Sequence, residues 1–218
     1  MTDDTLARER LSPLAVLVDD VLGTVGYEIT AATDAIDGAV SGHGGLFEPT
    51  TTRDELRRAL KQVLASDLGR PPVPEPADGP LVLYVDGSSR GNPGPAGAGA
   101  VIVDAAGDRL ARLGRPVGSR TGNNAAEYVA LRLGLSELLA RYEPHRLEVR
   151  IDSMTVVRDV WCGADPTEPG VETHSEAVAS ALAAIPDHSY THLADSDPNP
   201  ADALATVCAD IAALGPGV

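Results

Sequence analysis

Four carboxylates stand where a folded chain could gather them. Asp86 ends the apolar run Leu81 to Val85, and Asp152 ends Leu147-Glu-Val-Arg-Ile151. Glu127 lies near the start of a helix-patterned stretch, and Asp202 falls in the first turn of a final one, Asn199-Pro-Ala-Asp-Ala-Leu-Ala205. Singly, each has a structural use, because acids cap helices and favour their N-termini. Jointly they have another. If the strands ending in Asp86 and Asp152 lie side by side, two carboxylates repel across the sheet edge, which raises the pKa of one unless a cation sits between them. Three or four together favour a divalent-metal site, and a carboxylate beside exposed backbone amides holds such a metal near a phosphate.

The elements that must position these acids follow from periodicity. Strands are expected at 81–86, 97–104, 109–116, 146–152 and 188–193, and helices at 123–141, 153–161, 173–185 and 199–213. Ala105-Ala-Gly-Asp108 joins the second and third strands as a hairpin. Three strands, a helix, a strand, helices, a strand and a helix imply an α/β fold with a mixed five-stranded sheet flanked by helices. The Gly-, Ser-, Asn- and Pro-rich loop after Asp86 reads on its own as a hairpin turn. A dinucleotide fingerprint would have to open a helix, whereas Pro93 and Pro95 interrupt this loop and a strand-like run follows.

The N-terminal third reads differently. Leu11 to Val25, Ala31 to Val40 and Thr52 to Ala65 are helical in pattern, the last opening on a capping box of Thr52 and Glu55. The run 70–80 is an extended spacer rich in proline. The chain therefore divides into a small all-helical domain at 1–69, the linker at 70–80, a mixed domain at 81–213 and a tail at 214–218. The acidic start Met-Thr-Asp-Asp lacks the order of a signal peptide, and no apolar run is long enough for a bilayer, so a cytoplasmic protein without membrane contact is expected. Cys162 and Cys208 have no metal-site spacing. Net charge is −15, with Lys61 the only lysine. That excludes a protein gripping nucleic acid mainly by bulk positive charge, leaves room for a nucleic-acid enzyme whose metal ions supply the local charge, and suits a high-salt cytoplasm.

Asp86-Gly-Ser-Ser-Arg-Gly-Asn-Pro-Gly-Pro-Ala-Gly97, Asn123-Asn-Ala-Ala-Glu127-Tyr, Ile151-Asp152-Ser and Ala201-Asp202-Ala-Leu-Ala occur in that order. Together they make residues 81 to about 213 resemble the type 1 ribonuclease H family. The resemblance implies a ribonuclease H-like fold and endonucleolytic cleavage of the RNA strand of an RNA–DNA hybrid, leaving 5′-phosphate and 3′-hydroxyl ends. It implies two Mg²⁺ or Mn²⁺ ions on Asp86, Glu127, Asp152 and Asp202. Ser88, Asn92, Asn123 and Asn124 match the family's minor-groove contacts, with Gly87 serving beside them through its backbone. Neutral side chains that both donate and accept suit the 2′-hydroxyl that marks RNA, although Asn also stabilises turns and caps helices.

Departures from the family pattern lie toward the C-terminus. His192, ten residues before Asp202, falls where some members place a histidine that assists proton transfer; His174 and His188 are weaker candidates. Asp195 stands where a basic residue is common, and Asn199 is displaced by one toward Asp202, which weakens its reading as a substrate contact. Trp161 to Gly170 is short and acidic where some members carry a basic protrusion. A related nuclease acting on another duplex or a junction, and a non-catalytic binding protein on the same fold, are the competing readings.

Overall fold

Alternating burial along 81–85 and 146–151 marks the centre of the molecule, described in a computed structural model over residues 11–42, 44–66, 68–164, 166, 170–194 and 196–215. The elements in chain order are α1 (Pro13–Thr24), α2 (Ile29–Ala39), α3 (Arg53–Ala65), β1 (Leu81–Ser89), β2 (Gly94–Val103) and β3 (Arg109–Thr121). Then come α4 (Asn123–Arg141), β4 (Arg146–Ile151), α5 (Met154–Trp161), α6 (Glu172–Ala183), β5 (Asp187–His192) and α7 (Asp202–Ala212). The five strands form one sheet in the order β3-β2-β1-β4-β5. β1, β2 and β3 pair antiparallel, whereas β4 runs parallel to both β1 and β5. The expected mixed five-stranded sheet flanked by helices is present, and the N-terminal region is helical.

Side chains on a strand alternate faces, and the two faces here have different occupants. Leu83 and Val85 of β1, Ala100 and Ile102 of β2, and Val149 of β4 are buried with α4, α5 and α6. α4 is buried along most of its length, from Ala126 to Leu138, because it crosses the middle of this face. The opposite face takes α7 and the N-terminal helices, whose core includes Val101, Leu204, Cys208 and Ile211. Among the described residues, no helix is long and apolar enough to cross a membrane.

Glycine sets how closely α7 approaches. A Cβ at Gly97 would lie 2.2 Å from the Ala209 nitrogen, and one at Gly99 would lie 2.3 Å from the Ala201 oxygen. The helix backbone thus rests directly on the β2 backbone, an arrangement that any side chain would forbid.

Several element boundaries differ from expectation, among them that of β3, which runs on to Thr121 instead of ending at 116 because its pairing with β2 continues to Gly94. β1 continues to Ser89 and β2 begins at Gly94, because Gly87, Ser88 and Ser89 pair across to Ala98, Gly97 and Ala96. Ladder pairing overrides the weak strand preference of Gly and Ser, so the connecting turn is only Arg90 to Pro93, closed by the Arg90 N–H donating to the Pro95 carbonyl at 2.8 Å. The last helix starts at Asp202, not at 199. Asn199 accepts the Ala201 N–H on its side-chain oxygen at 3.1 Å, so the segment before Asp202 is a turn. Residues 1–10, Asp195 and most of the acidic stretch between Ala164 and Gly170 lie outside the described residues.

These contacts predict opposite effects for two Gly→Ala changes. Gly99→Ala forces α7 away from β2 and should destabilise the protein by roughly 1–3 kcal/mol. Gly38→Ala, inside α2 with nothing within 4 Å of the added atom, should stabilise it by roughly 0.5–1 kcal/mol. Urea unfolding of both variants checks this, and a Gly99→Ala midpoint at or above the native one would contradict it.

Candidate active site

Asp86 and Asp152 meet because their strands are parallel neighbours in register. Tyr84 pairs with Arg150, and each aspartate lies two residues further along its own strand direction. Asp86 does not end its strand, since β1 runs three residues past it. Asp152 does follow the end of β4, and Ser153 caps the helix that begins next by accepting the Val156 N–H. The helix cap is therefore Ser153 and not Asp152, whose carboxylate is left exposed at the cleft.

Glu127 is brought in by a second close approach. A Cβ at Gly87 would lie 2.4 Å from the Glu127 nitrogen, so the start of α4 presses onto β1 where β1 has no side chain. The Gly87 N–H then donates to the Glu127 carboxylate. Gly87 shapes the site through its backbone and its lack of bulk. Carboxylate oxygens of Asp86, Glu127 and Asp152 all lie within 4.8 Å of one another. Asp202, the first residue of α7, is not in that triad, but it walls the same cleft with Asp86 and Asp152. The cleft has a volume of ≈ 640 Å³ and is also lined by Asp197 and Asn199.

The electrostatics mark the cluster as short of positive charge. Burial pushes the Asp86 carboxyl up to about 7, and the charges of Asp152 and then Asp202 add to the effect. Burial also holds Glu127 well above the usual carboxylate range, followed by repulsion from Asp86 and Asp152; hydrogen bonds from Gly87 and Asn123 offset this only in part. Glu127 is 3% exposed, and its Oε2 is buried without a hydrogen-bond partner. Buried polar atoms are ordinarily satisfied. A carboxylate oxygen left bare beside two other carboxylates is an acceptor set suited to a hard cation, which takes oxygen ligands.

The neighbouring amides are partly engaged in holding α4. Gly122 at its N-cap has no side chain to offer, and Asn92 reaches across from the β1–β2 turn so that its Oδ1 accepts the Asn123 N–H at 3.4 Å. Asn123 Nδ2 in turn donates to Glu127 Oε1 at 3.4 Å. Ser88, Asn123 and Asn124 are half-buried and Asn92 is exposed, so all four remain near the surface beside the acids.

The three histidines separate. The Nε2 of His192, at the end of β5, lies 3.1 Å from the Asp152 carbonyl. A carbonyl only accepts, so Nε2 carries the proton and donates. His174 pairs with Arg132 between α4 and α6, and His188 lies earlier on β5 with its Nδ1 buried. None of the three is among the residues that line the acidic cleft, and His192 alone is bonded to the backbone of one of its acids.

Asn199 plays a part that its sequence position concealed. Its Nδ2 donates to the Val85 carbonyl at 2.9 Å, one residue before Asp86, while its Oδ1 accepts the Ala201 N–H. One amide thus ties the approach to Asp202 onto the strand that carries Asp86. An Asn between two prolines ahead of a helix is a local turn signal, but its long-range bond to β1 has no sequence signature. Asp197, also at the cleft, accepts the Ala194 N–H at 2.9 Å.

Comparison with known proteins agrees with this geometry. The family model described as "Reverse transcriptase-like" matches residues 84–208. The ribonuclease HI of Halobacterium salinarum is 37% identical over 132 residues, which are 61% of this chain and 65% of that protein. The chain thus spans slightly less than two thirds of that relative's length. The solved N-terminal RNase H domain of Rv2228c from Mycobacterium tuberculosis is 31% identical with a TM-score of 0.57, covering 62% of this chain and 96% of that one. LC11-RNase H1, solved in complex with an RNA/DNA hybrid, is 32% identical with a TM-score of 0.54, covering 60% of this chain and 96% of that one. With the expected motifs folded onto one sheet edge and these matches across the mixed sheet, the chain belongs to the reverse transcriptase-like family, within its type 1 ribonuclease H group.

Proposed function

We propose that this protein is a cytoplasmic endoribonuclease that cleaves the RNA strand of RNA–DNA hybrids, leaving 5′-phosphate and 3′-hydroxyl ends. The observation that carries the reading is the triad of Asp86, Glu127 and Asp152 within 4.8 Å, with a buried Glu127 oxygen that has no partner. Asp86, Glu127, Asp152 and Asp202 would hold Mg²⁺ or Mn²⁺, two ions in the catalytic state. Such ions, when bound, supply an activated water and charge neutralisation at the scissile phosphate and the leaving 3′ oxygen.

The chain's own residues do the rest. Asp86, raised to about 7 without a cation, would give up its proton on becoming a ligand. Asn92, Asn123, Asn124 and Ser88 offer neutral donors and acceptors toward the 2′-hydroxyls of the RNA strand. His192, fixed through Nε2 on the Asp152 carbonyl, presents Nδ1 as the nitrogen that takes or gives a proton at the cleft. The acidic surface adds no bulk attraction for the duplex, so binding rests on the cation-loaded cleft and the amides beside it.

Strand-labelled RNA–DNA, RNA–RNA and DNA–DNA duplexes, incubated with the full chain and Mg²⁺ or Mn²⁺, test the activity. The expected result is cutting of the RNA strand of the hybrid alone, and a drop of at least about 100-fold in Asp86→Asn, since even losing an outer partner of a ligand costs 10–100-fold. Cleavage confined to RNA–RNA or DNA–DNA, or full activity in Asp86→Asn, would refute the reading.

The carboxyl shifts carry a separate stability prediction. The folded pKa of Asp86, about 7, lies above its unfolded value of about 3.9. Its protonated form therefore supports the fold fully below pH 4, and that support is lost as the pH rises through 7. In EDTA at pH 8, Asp86→Asn should melt above the native protein by at least roughly 3 °C, with the gap closing toward pH 4. Equal melting temperatures at pH 8 would show that the carboxylate carries no such burden.

A further inference from the structure

We propose that α1–α3 are the outer clamp of the catalytic unit, holding α7 and the edge of β3 so that Asp202 stays at the cleft, and are not a detachable module. The clamp itself stands on packing, strand-edge hydrogen bonds and buried ion pairs; its consequence for Asp202 rests on the proposed metal site.

The apolar face of α1 closes over α7. Val18, Val21 and Leu22 have no exposed surface and share one core with Leu204, Cys208 and Ile211 of α7 and Val101 of β2. Ser12, the N-cap of α1, donates to the Leu214 carbonyl just beyond the end of α7, and Ala15 packs against Ala212. α7 is therefore held on both sides, by the bare β2 backbone at Gly97 and Gly99 and by the helices outside. At Gly114 of β3 three elements converge, since a Cβ there would lie 2.6 Å from Cys208 Sγ and 3.1 Å from Ile29 Cδ1.

The edge of β3 is claimed as well. Between α1 and α2 the chain forms a single antiparallel bridge, Glu28 to Leu113, in which the Gly114 N–H donates to the Tyr27 carbonyl at 3.0 Å. Glu28 Oε2 accepts the Arg112 N–H at 3.1 Å. Tyr27 takes a φ of 59°, a left-handed conformation unfavourable for a non-glycine residue. Its ring lies under the Arg115 guanidinium, 5.2 Å from its centroid, so the strained residue is fixed by contacts to β3.

Buried charge crosses the same boundary. Asp19 of α1 is fully buried and pairs with Arg115 of β3 at 3.3 Å. Arg141, at the end of α4, has a side chain 5% exposed; it donates to Glu28 at 2.8 Å, to the Gly26 carbonyl at 3.0 Å and to Glu137 at 3.3 Å. Arg70, leaving the bundle, also reaches Glu137 at 3.3 Å. Removing one partner of a buried pair strands the other charge in a poor solvent. Separable domains meet through surfaces that each part can expose, and a fully buried Asp19 paired across the boundary does not fit that pattern.

The exposed stretch Val73 to Pro76 allows a test on the full chain. A site-specific protease sequence placed there is cut, and the product is examined by size exclusion at micromolar concentration and by urea unfolding. The two pieces should co-elute and unfold in one transition. Pieces that separate, or a larger piece that unfolds at the uncut midpoint in its own transition, would overturn the clamp. Its action on Asp202 is read in the uncut chain by calorimetric Mn²⁺ titration of Val18→Ala at a temperature where the variant is fully folded. A loss of affinity of about threefold or more is expected; native affinity would overturn the positioning part. If the unmodified chain binds no Mn²⁺, the metal-site reading fails by itself, while the cut-chain result still decides the clamp.

Discussion

Like charges forced together at one sheet edge govern this molecule. Asp86, Glu127 and Asp152 bring carboxylate oxygens within 4.8 Å, and two of these residues are buried. At an effective dielectric of about 20, two unit charges 4 Å apart repel by about 4 kcal/mol. Without a cation the cluster relieves this by holding protons: burial first, and the neighbouring charges second, raise the Asp86 and Glu127 carboxyls. A divalent ion would replace that proton-dependent truce with direct attraction, so the site's chemistry and its cost to the fold have one origin.

Such a cluster persists only if the surrounding backbone leaves the acids no room to part. Gly87 lets α4 press Glu127 onto β1, while Gly97 and Gly99 let α7 rest on β2 with Asp202 at its first residue. Asn199 then pins the approach to α7 onto the Val85 carbonyl. The small residues of the glycine-rich hairpin thus set distances between elements far apart in sequence. The outer helices press on α7 from its other side, so Asp202, a proposed metal ligand at the C-terminal end of the fold, sits on a helix packed against residues near the N-terminus.

Much of this was legible in the residues. Apolar and β-branched runs between turn residues located all five strands, and the order of the acids anticipated that Asp86, Glu127 and Asp152 would come together. What stayed hidden depends on contacts between distant segments. The extension of β1 through Gly87-Ser-Ser89 follows from pairing with β2, which no propensity announces. Asn199 reads as a displaced and weakened substrate contact until its bond to Val85 is seen. The proline-rich run 70–80 reads as a free spacer, yet the Tyr142 hydroxyl donates to the Pro74 carbonyl at 3.1 Å and the Ala77 N–H donates to Asp104 at 2.9 Å. Composition recognised an extended backbone there but not where it is fastened.

The central claim is that the three crowded carboxylates form a cation site. Calorimetric titration of Mn²⁺ into the metal-free full chain at pH 7, repeated in two buffers of different ionisation enthalpy, tests it most directly, with Glu127→Gln in parallel. The account predicts saturable binding accompanied by proton release, and a loss of affinity on the order of 10–100-fold or more in Glu127→Gln. Absence of binding at millimolar Mn²⁺, or the same affinity in both proteins, would contradict it.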